Sequence, residues 1–426
     1  MNISDVKSRI KEGFADKSFM MLYQDVNVAK KRHINACDKF LEIFSDRDNI
    51  RIISAPGRTE VGGNHTDHQH GRVLAGSVDL DIIGIVSANN DGVVRIKSEG
   101  FPMDEINLCD LAAKKEEEGR ASSLIRGVCN YFKECGYSVG GFDAYTTNNV
   151  MRGSGLSSSA AFEVFVGTTL NFLFNNGDIE PVEIAKISQK AESIYFGKPC
   201  GLLDQSASAL GGFTAIDFKD PSKPLVEKVD FDLTACGYSL CVVNTGGNHA
   251  NLTQDYADIT VECKNVSNYF GKEYLRDVCI EDFYNNIADL RKKFGDRAVL
   301  RAIHFFNEDK RAEEEKLALI DGNFDRFINL INESGNSSFR FLQNVYSTSN
   351  VSEQGISLGI ALTEQFLHNS GKGAYRVHGG GFAGTVQCFL PTEMISSFRD
   401  YIEKVFGEGS CYVLKIRSVG GYELKL

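Results

Sequence analysis

The chain's 426 residues exceed what one ordinary hydrophobic core accommodates, and 42% apolar with 24% charged residues is the makeup of a folded globular protein, so two domains are expected. A formal net charge of −11 argues against nucleic acid as a partner, while leaving room for a local basic pocket that takes an anionic nucleotide. No apolar run is long enough for a membrane span, the charged start "MNISDVKSRIKEGFADKSFM" lacks the apolar stretch of a secretory signal, and eleven cysteines without a CxxC pair read as reduced thiols of a cytoplasmic protein.

In chain order, residues 1–48 read as a helix-rich extension, with charges spaced along "DVKSRIKEGF" and "NACDKFLEIF". "IRIISAPGR" is a β-branched run expected to end in a Pro-Gly turn. "DIIGIVSA" and "VVRIKS" read as two strands joined into a hairpin by "NNDG". "SSLIRGVCNYFKECG" has apolar residues at helical spacing and stops at a glycine. "GFDAYTTNNV" reads as a strand, "SSSAAFEVFVGTTLNFLF" as a long buried helix and "IEPVEIAKISQKAESIYFG" as another helix. "GGFTAIDF" and "YSLCVVNT" resemble strands, helical patterns dominate from about 250 to 370, and the end returns to strand, turn, helix and strand. This is an α+β chain without regular βαβ alternation. Its expected division is the extension 1–48, a domain over 49–220 and a second over 221–426.

Four stretches carry chemistry. In "RGSGLSSSAAFEVFVG", Gly153 and Gly155 permit positive φ and close backbone approach, and an apolar helix begins at once after Ser157, Ser158 and Ser159. A glycine turn feeding a helix N-terminus suits a phosphate, because free N–H groups and the helix dipole both favour an anion. The plainer reading is a serine-capped helix after a tight turn. No GxxxxGK[ST] occurs in the chain, so this is not a Walker A loop. "YRVHGGGFAGTVQCF" places Gly379 to Gly381 and Gly384 between apolar runs, which taken alone is a tight turn. In "FGKPCGLLDQSASALGG", Asp204 is a candidate buried carboxylate, which needs a partner or a task, or else a helix cap. "GGNHTDHQHG" gathers His65, His68, His70 and Asp67. Zinc histidines on a helix favour i and i+4; the spacings here are three, two and five, so a metal site is the weaker reading of a short polar loop.

Taken together, "APGRTEVGGNHTDHQHGRVL", "RGSGLSSSAAFE" and "VHGGGFAGT", in this order, resemble the three motifs of the GHMP small-molecule kinases. The first is similar to the galactokinase signature, and "CGLLDQSASALGG" is similar to the galactokinase stretch that carries a catalytic aspartate. The resemblance spans roughly residues 50 to 390. It implies two α+β domains with the active site in the cleft between them, ATP and Mg²⁺ as cofactors, and a loop of Gly153, Ser154, Gly155, Leu156, Ser157, Ser158 and Ser159 around the ATP phosphates. It implies that Asp204 faces the sugar's anomeric hydroxyl with Arg58 beside it, and that Glu192 holds Mg²⁺ together with Ser159. It further implies that Asn64, His65, Asp67, Gly201 and Tyr256 line the sugar site. General chemistry agrees. Phosphoryl transfer is placement and charge stabilisation, Mg²⁺ prefers oxygen ligands, and a sugar hydroxyl needs a base or an orienting acceptor.

The match departs from the family at several places. The usual Gly-Glu-His-Thr-Asp-Tyr is here "GNHTDH", and "RTEVGG" stands for Arg-Val-Asn-Leu-Ile-Gly. Asn64 would bind a C6 hydroxyl and would also tolerate a C6 carboxylate, which leaves open a uronic-acid kinase such as one acting on galacturonate. Arginines typical of the family after Tyr256 are replaced by "ADITVEC". A non-catalytic sugar sensor on the same fold, another GHMP kinase and a zinc hydrolase are the remaining alternatives. The sequence favours a cytoplasmic, ATP- and Mg²⁺-dependent sugar 1-kinase. Its expected partners are a small sugar and ATP, with no nucleic acid and no membrane, and its expected state is a monomer or weak dimer.

Overall fold

Asn2 opens the first helix with a reciprocal capping box to Asp5, and Gly13 closes it in the left-handed conformation. Helices α1 (Ile3–Glu12), α2 (Asp16–Leu22) and α3 (Val26–Phe44) follow one another, the last capped by Asp25. The computed structural model describes residues 1–150, 155–247 and 252–426. The extension is therefore helical, as its charge spacing predicts, and its Phe19, Leu22, Phe40 and Phe44 pack on Ile52, Ile83, Ile85 and Tyr145. Those four residues form one face of the larger sheet.

That sheet is built from β1 (Arg51–Gly62), β2 (Arg72–Ala88), β3 (Val93–Ser98), β4 (Met103–Asn107), β5 (Phe142–Asn148), β6 (Phe213–Asp217) and β7 (Leu225–Val229). The C-terminal half of β2 pairs with β5, its N-terminal half pairs with β6, and β7 continues from β6. Four helices lie in the segment that follows β4 and precedes β7: α4 (Ala121–Glu134), α5 (Ser158–Phe174), α6 (Pro181–Lys190) and α7 (Leu203–Leu210). Phe132, Phe165, Ile184 and Leu203 from these helices join the main core against the opposite face of the sheet. The second sheet is antiparallel: β8 (Tyr238–Asn244), β9 (Ala374–His378), β10 (Thr385–Pro391) and β11 (Cys411–Leu414), in spatial order β11-β8-β10-β9. Helices α8 (Thr253–Tyr269), α9 (Ile280–Asn285), α10 (Ile287–Phe294) and α11 (Asp296–Ile320) form a cluster of their own, with α11 also packed on β2, whereas α12 (Phe324–Ser337), α13 (Gly355–Leu367) and α14 (Ile395–Phe406) pack on the second sheet. The short β12 (Tyr422–Glu423) returns to the first sheet beside β1. No described helix is long and apolar enough to cross a membrane.

Three expectations change. The "NNDG" segment does connect two strands, but they are not a hairpin: β5 lies between β2 and β3, and β3 runs parallel to it. Asn89 explains the turn, because its side chain binds the Val93 carbonyl and Asp143 of β5 at 3.0 Å each, directing the chain across β5 rather than back along β2. The first strand does not stop at Pro56-Gly57 but runs through it, with a register shift between Pro56 and Arg58 that absorbs the proline. Sheet membership also departs from a split at 220, since β7 stays with the first sheet and β12 rejoins it.

Candidate active site

Strand β1 aims two side chains at the cleft. Between Arg58 and Glu60 the pairing with β2 is regular, so these residues share a face and Thr59 takes the other. Thr59 is buried against His378 Nε2 at 3.0 Å, which ties the first sheet to the second. Arg58 reaches Asp204 in the first turn of α7, with Nε 2.7 Å from Oδ1. The other Asp204 oxygen accepts from the Ser157 hydroxyl, and Arg58 also donates to the Gly155 carbonyl. Arg58 N–H donates to the Leu156 carbonyl at 3.0 Å. One arginine thus fixes the glycine loop and the aspartate relative to each other.

The serines do not cap their helix. Ser157 sits at the N-cap of α5 with φ +54 and makes no side-chain capping bond, because its hydroxyl is turned to Asp204. Ser158 and Ser159 follow in the first turn, so N–H groups of this turn stay available to an anion. Gly155, at φ +73, lies where an added Cβ would come within 3.2 Å of the His378 ring, so the loop closes directly on β9. Gly153 and Ser154 lie outside the described residues.

Beside the loop is a group of acids. Ser159 Oγ donates to Glu192 Oε1 at 3.0 Å, and Lys198 Nζ stands 3.0 Å from the same oxygen. Gln205 holds Glu192 Oε2 at 2.7 Å and Glu163 Oε2 at 3.1 Å. Glu192 is delivered by a π-helical turn, Ala191–Phe196, that extends α6. Glu163 is fully buried, and burial together with the charge of Glu192 raises its pKa well above the usual carboxylate range.

The histidine loop faces this group from across the cleft. Asp67 opens a short helical turn, Asp67–Gln69, and a Cβ on Gly201 would lie 3.4 Å from its Oδ2. Burial raises the Asp67 pKa; His65 opposes the rise and Asp204 adds to it. His65 Nε2 bonds the Gly380 carbonyl at 2.9 Å and its ring stacks with Tyr256 at 6.5 Å between centroids. Tyr256 donates to the Gly381 carbonyl at 2.9 Å. His70 turns away and stacks on Tyr274 at 3.5 Å. Among the described residues, no three His, Cys, Asp or Glu side chains converge as a metal site.

Asn64 behaves differently from the other loop residues. It is fully buried, and its amide donates to Glu60 at 2.7 Å and to the Gly379 carbonyl at 2.8 Å. Its Oδ1 accepts from Asn344 at 2.8 Å, and its carbonyl meets His304 Nε2 at 2.9 Å. The side chain is consumed in bolting the loop to the second half of the molecule, so the expected sugar contact from Asn64 is not the arrangement seen. The carboxylate on this face is Glu60, two residues along the strand from Arg58. Beneath the loop, burial raises the Glu308 pKa, but Arg311 and other neighbours overcome this and lower it to about 2, so it accepts from the Gly63 N–H as an anion.

The structure therefore brings together Arg58, Asp204, Ser157, Ser159 and Glu192, and around them Asp67, His65, Gly201 and Tyr256. Sequence reasoning missed Glu60, Lys198, Gln205 and Glu163. A signal existed for Lys198 and Gln205, which lie inside the aspartate-bearing segment, whereas Glu163 looks like any residue of a buried helix.

The sequence matches the family described as GHMP kinases N terminal domain over residues 123–212, and the galactokinase galactose-binding signature over 38–88. It is 28% identical over 403 residues to the galactokinase of Clostridium tetani, covering 92% of this chain and 98% of that one. It is 30% identical over 358 residues to the galactokinase of Glaesserella parasuis, covering 83% and 88%. The solved galactokinase of Lactococcus lactis in complex with galactose superposes with a TM-score of 0.74 at 26% identity, covering 91% and 98%.

Proposed function

The chain belongs to the galactokinase family of the GHMP kinases and is a sugar kinase, and from that premise we propose that it transfers the terminal phosphate of ATP to the anomeric hydroxyl of galactose, giving galactose 1-phosphate and ADP. The observation that carries this reading is the Arg58–Asp204 pair, set where the glycine loop, the α5 N-terminus and the histidine loop meet.

Asp204 accepts the proton of the anomeric hydroxyl as its oxygen attacks the terminal phosphorus; the bond to the leaving phosphate breaks and ADP departs with the electron pair. Arg58 holds Asp204 Oδ1 in an ion pair and adds positive charge beside the transferring group. Its contact with the Gly155 carbonyl couples the position of the phosphate loop to that of the base. Asp67 and His65 receive the ring hydroxyls, Tyr256 and Gly201 shape the pocket walls, and the α5 N-terminus receives the phosphates.

The donor set suits Mg²⁺. Ser159 Oγ and Glu192 Oε1 are hard oxygens 3.0 Å apart, Gln205 orients the carboxylate, and a cation, Lys198, already stands on it. Ser159 and Glu192 would hold the ion, which when bound neutralises phosphate charge. Glu60 supports galactose over a uronic acid: its carboxylate accepts a hydroxyl and repels a second carboxylate, while Asn64 is spent on Glu60, Gly379 and Asn344. A cytoplasmic location goes with this reading.

The test is ATP-dependent turnover on galactose, galacturonate, N-acetylgalactosamine, glucose and arabinose, with the product identified by phosphorus NMR. The expected result is preference for galactose and an anomeric phosphate. Preference for galacturonate would refute the substrate assignment, and no turnover on any sugar would refute the catalytic one.

A further inference from the structure

Among the described residues, Lys198 is the one cation at this site that the mechanism above leaves without a task. It follows the π-helical turn and Gly197, which adopts φ +80. Its ammonium lies 3.0 Å from Glu192 Oε1, the oxygen that also accepts from Ser159, while Gln205 occupies the opposite oxygen. The two partners differ in setting: the Glu192 side chain is 1% exposed and that of Lys198 is 60% exposed. An ammonium this open contributes little to stability through one ion pair. It also keeps the freedom of a four-carbon stem.

Position gives it a use. Oxygens that share one Mg²⁺ lie about 3 Å apart, so a phosphate oxygen brought to the Ser159–Glu192 pair falls within reach of this ammonium by side-chain rotation alone. An ammonium suits phosphate as a compact point charge with three donors. The nearby acids reinforce the need for such a charge: Glu192 is buried and its other oxygen is held only by a neutral amide, and Asp204 also acts on Lys198. Without a divalent ion, Lys198 is the cation that balances Glu192.

We propose that Lys198 is a phosphate-binding catalytic residue that occupies the Glu192 oxygen in the nucleotide-free protein and moves to a nucleotide phosphate oxygen when nucleotide binds, leaving the Glu192 oxygen to a divalent cation. The proposal rests on the assignment of Ser159 and Glu192 as the cation site. It requires Lys198→Met to have two opposite effects. Divalent binding without nucleotide tightens, because the competitor is gone; nucleotide binding without metal weakens, because a phosphate donor is gone.

The experiment is calorimetry on the full chain with two probes: Mn²⁺ alone, and the non-hydrolysable analogue AMP-PNP in EDTA. For Lys198→Met the Kd for Mn²⁺ should fall several-fold, and the Kd for AMP-PNP in EDTA should rise about tenfold, the scale of one charge-assisted hydrogen bond. The kcat should fall while galactose affinity stays unchanged, and Lys198→Arg should restore most of the AMP-PNP affinity. Unchanged AMP-PNP affinity and kcat in Lys198→Met would overturn the proposal and leave a surface ion pair. The cation-site reading is tested separately by Glu192→Gln. If Mn²⁺ binding survives that change, the exchange at Glu192 is refuted, whereas the AMP-PNP arm in EDTA still reports on the lysine itself.

Discussion

Two carboxylates in this molecule are each paired with arginine, and they do opposite things. Asp81 is fully buried where the N-terminal extension meets the first sheet, and it receives Tyr23 at 2.6 Å, Arg32, Arg417 at 3.2 Å and the Ser54 hydroxyl. Burial pushes its pKa up, but the two arginines overcome this and hold it below the usual carboxylate range. Both oxygens are held and the side chain is sealed from solvent, so Asp81 joins the end of α2, α3, β1 and the C-terminal tail and is closed to a ligand. Asp204 has the Arg58 guanidinium and the Ser157 hydroxyl, and its side chain stays 27% exposed. A saturated, sealed carboxylate holds a fold together; an unsaturated one at a cleft is available for chemistry.

This contrast can be broken by mutation. Removing the sealed group should cost most. Asp81→Ala leaves Arg417 buried and unpaired, and should lower unfolding free energy by about 3–5 kcal/mol in urea denaturation. A loss below about 1 kcal/mol would show that the cluster is not a fastening. At the cleft, Glu192→Gln should raise the Mg²⁺ concentration for half-maximal turnover at least about tenfold with little change in stability. An unchanged Mg²⁺ requirement would remove Glu192 from the metal site.

Acid should affect both regions alike. Burial lowers the pKa values of His33 and His304 to about 4 and those of His68 and His378 to about 3. The unfolded chain binds protons at these sites first, near pH 6.5, so their contribution to stability is present above that pH. It is lost as pH falls toward 4 and 3. By pH 5 the loss should be on the order of 1–2 kcal/mol per histidine. Stability that stays level between pH 7 and 5 would contradict this. His33→Gln in the extension and His378→Gln at the cleft should each flatten the curve. The smallest effect is one of selection: Glu60→Gln should shift the galacturonate-to-galactose ratio of kcat/KM upward about tenfold. No shift would mean that Glu60 does not face the sugar.

The sequence was most readable where side chains repeat a pattern or where glycine is required. The helices and most strands follow their apolar periodicity, and Gly155 and Gly381 lie where a side chain would collide with His378 and with the Asn344 backbone. It was least readable where partners come from far along the chain. "NNDG" has the chemistry of a hairpin, yet Asn89 is bound by Asp143 across an inserted strand. Asn64 looks like a sugar ligand until Asn344, 280 positions away, is seen to hold its oxygen. Glu192 and Ser159 were paired through resemblance; the amide that orients the carboxylate, Gln205, and the buried acid beside it, Glu163, become visible only when α5, α7 and the π-helical turn are packed together.

The central claim is that Asp204 is the open carboxylate that performs the transfer. The most direct measurement is kcat and galactose affinity on one preparation of Asp204→Asn. The account predicts turnover reduced by at least about a hundredfold, the scale of lost general-base catalysis, with galactose Kd and melting temperature close to those of the unaltered protein. Turnover near the original rate would contradict it.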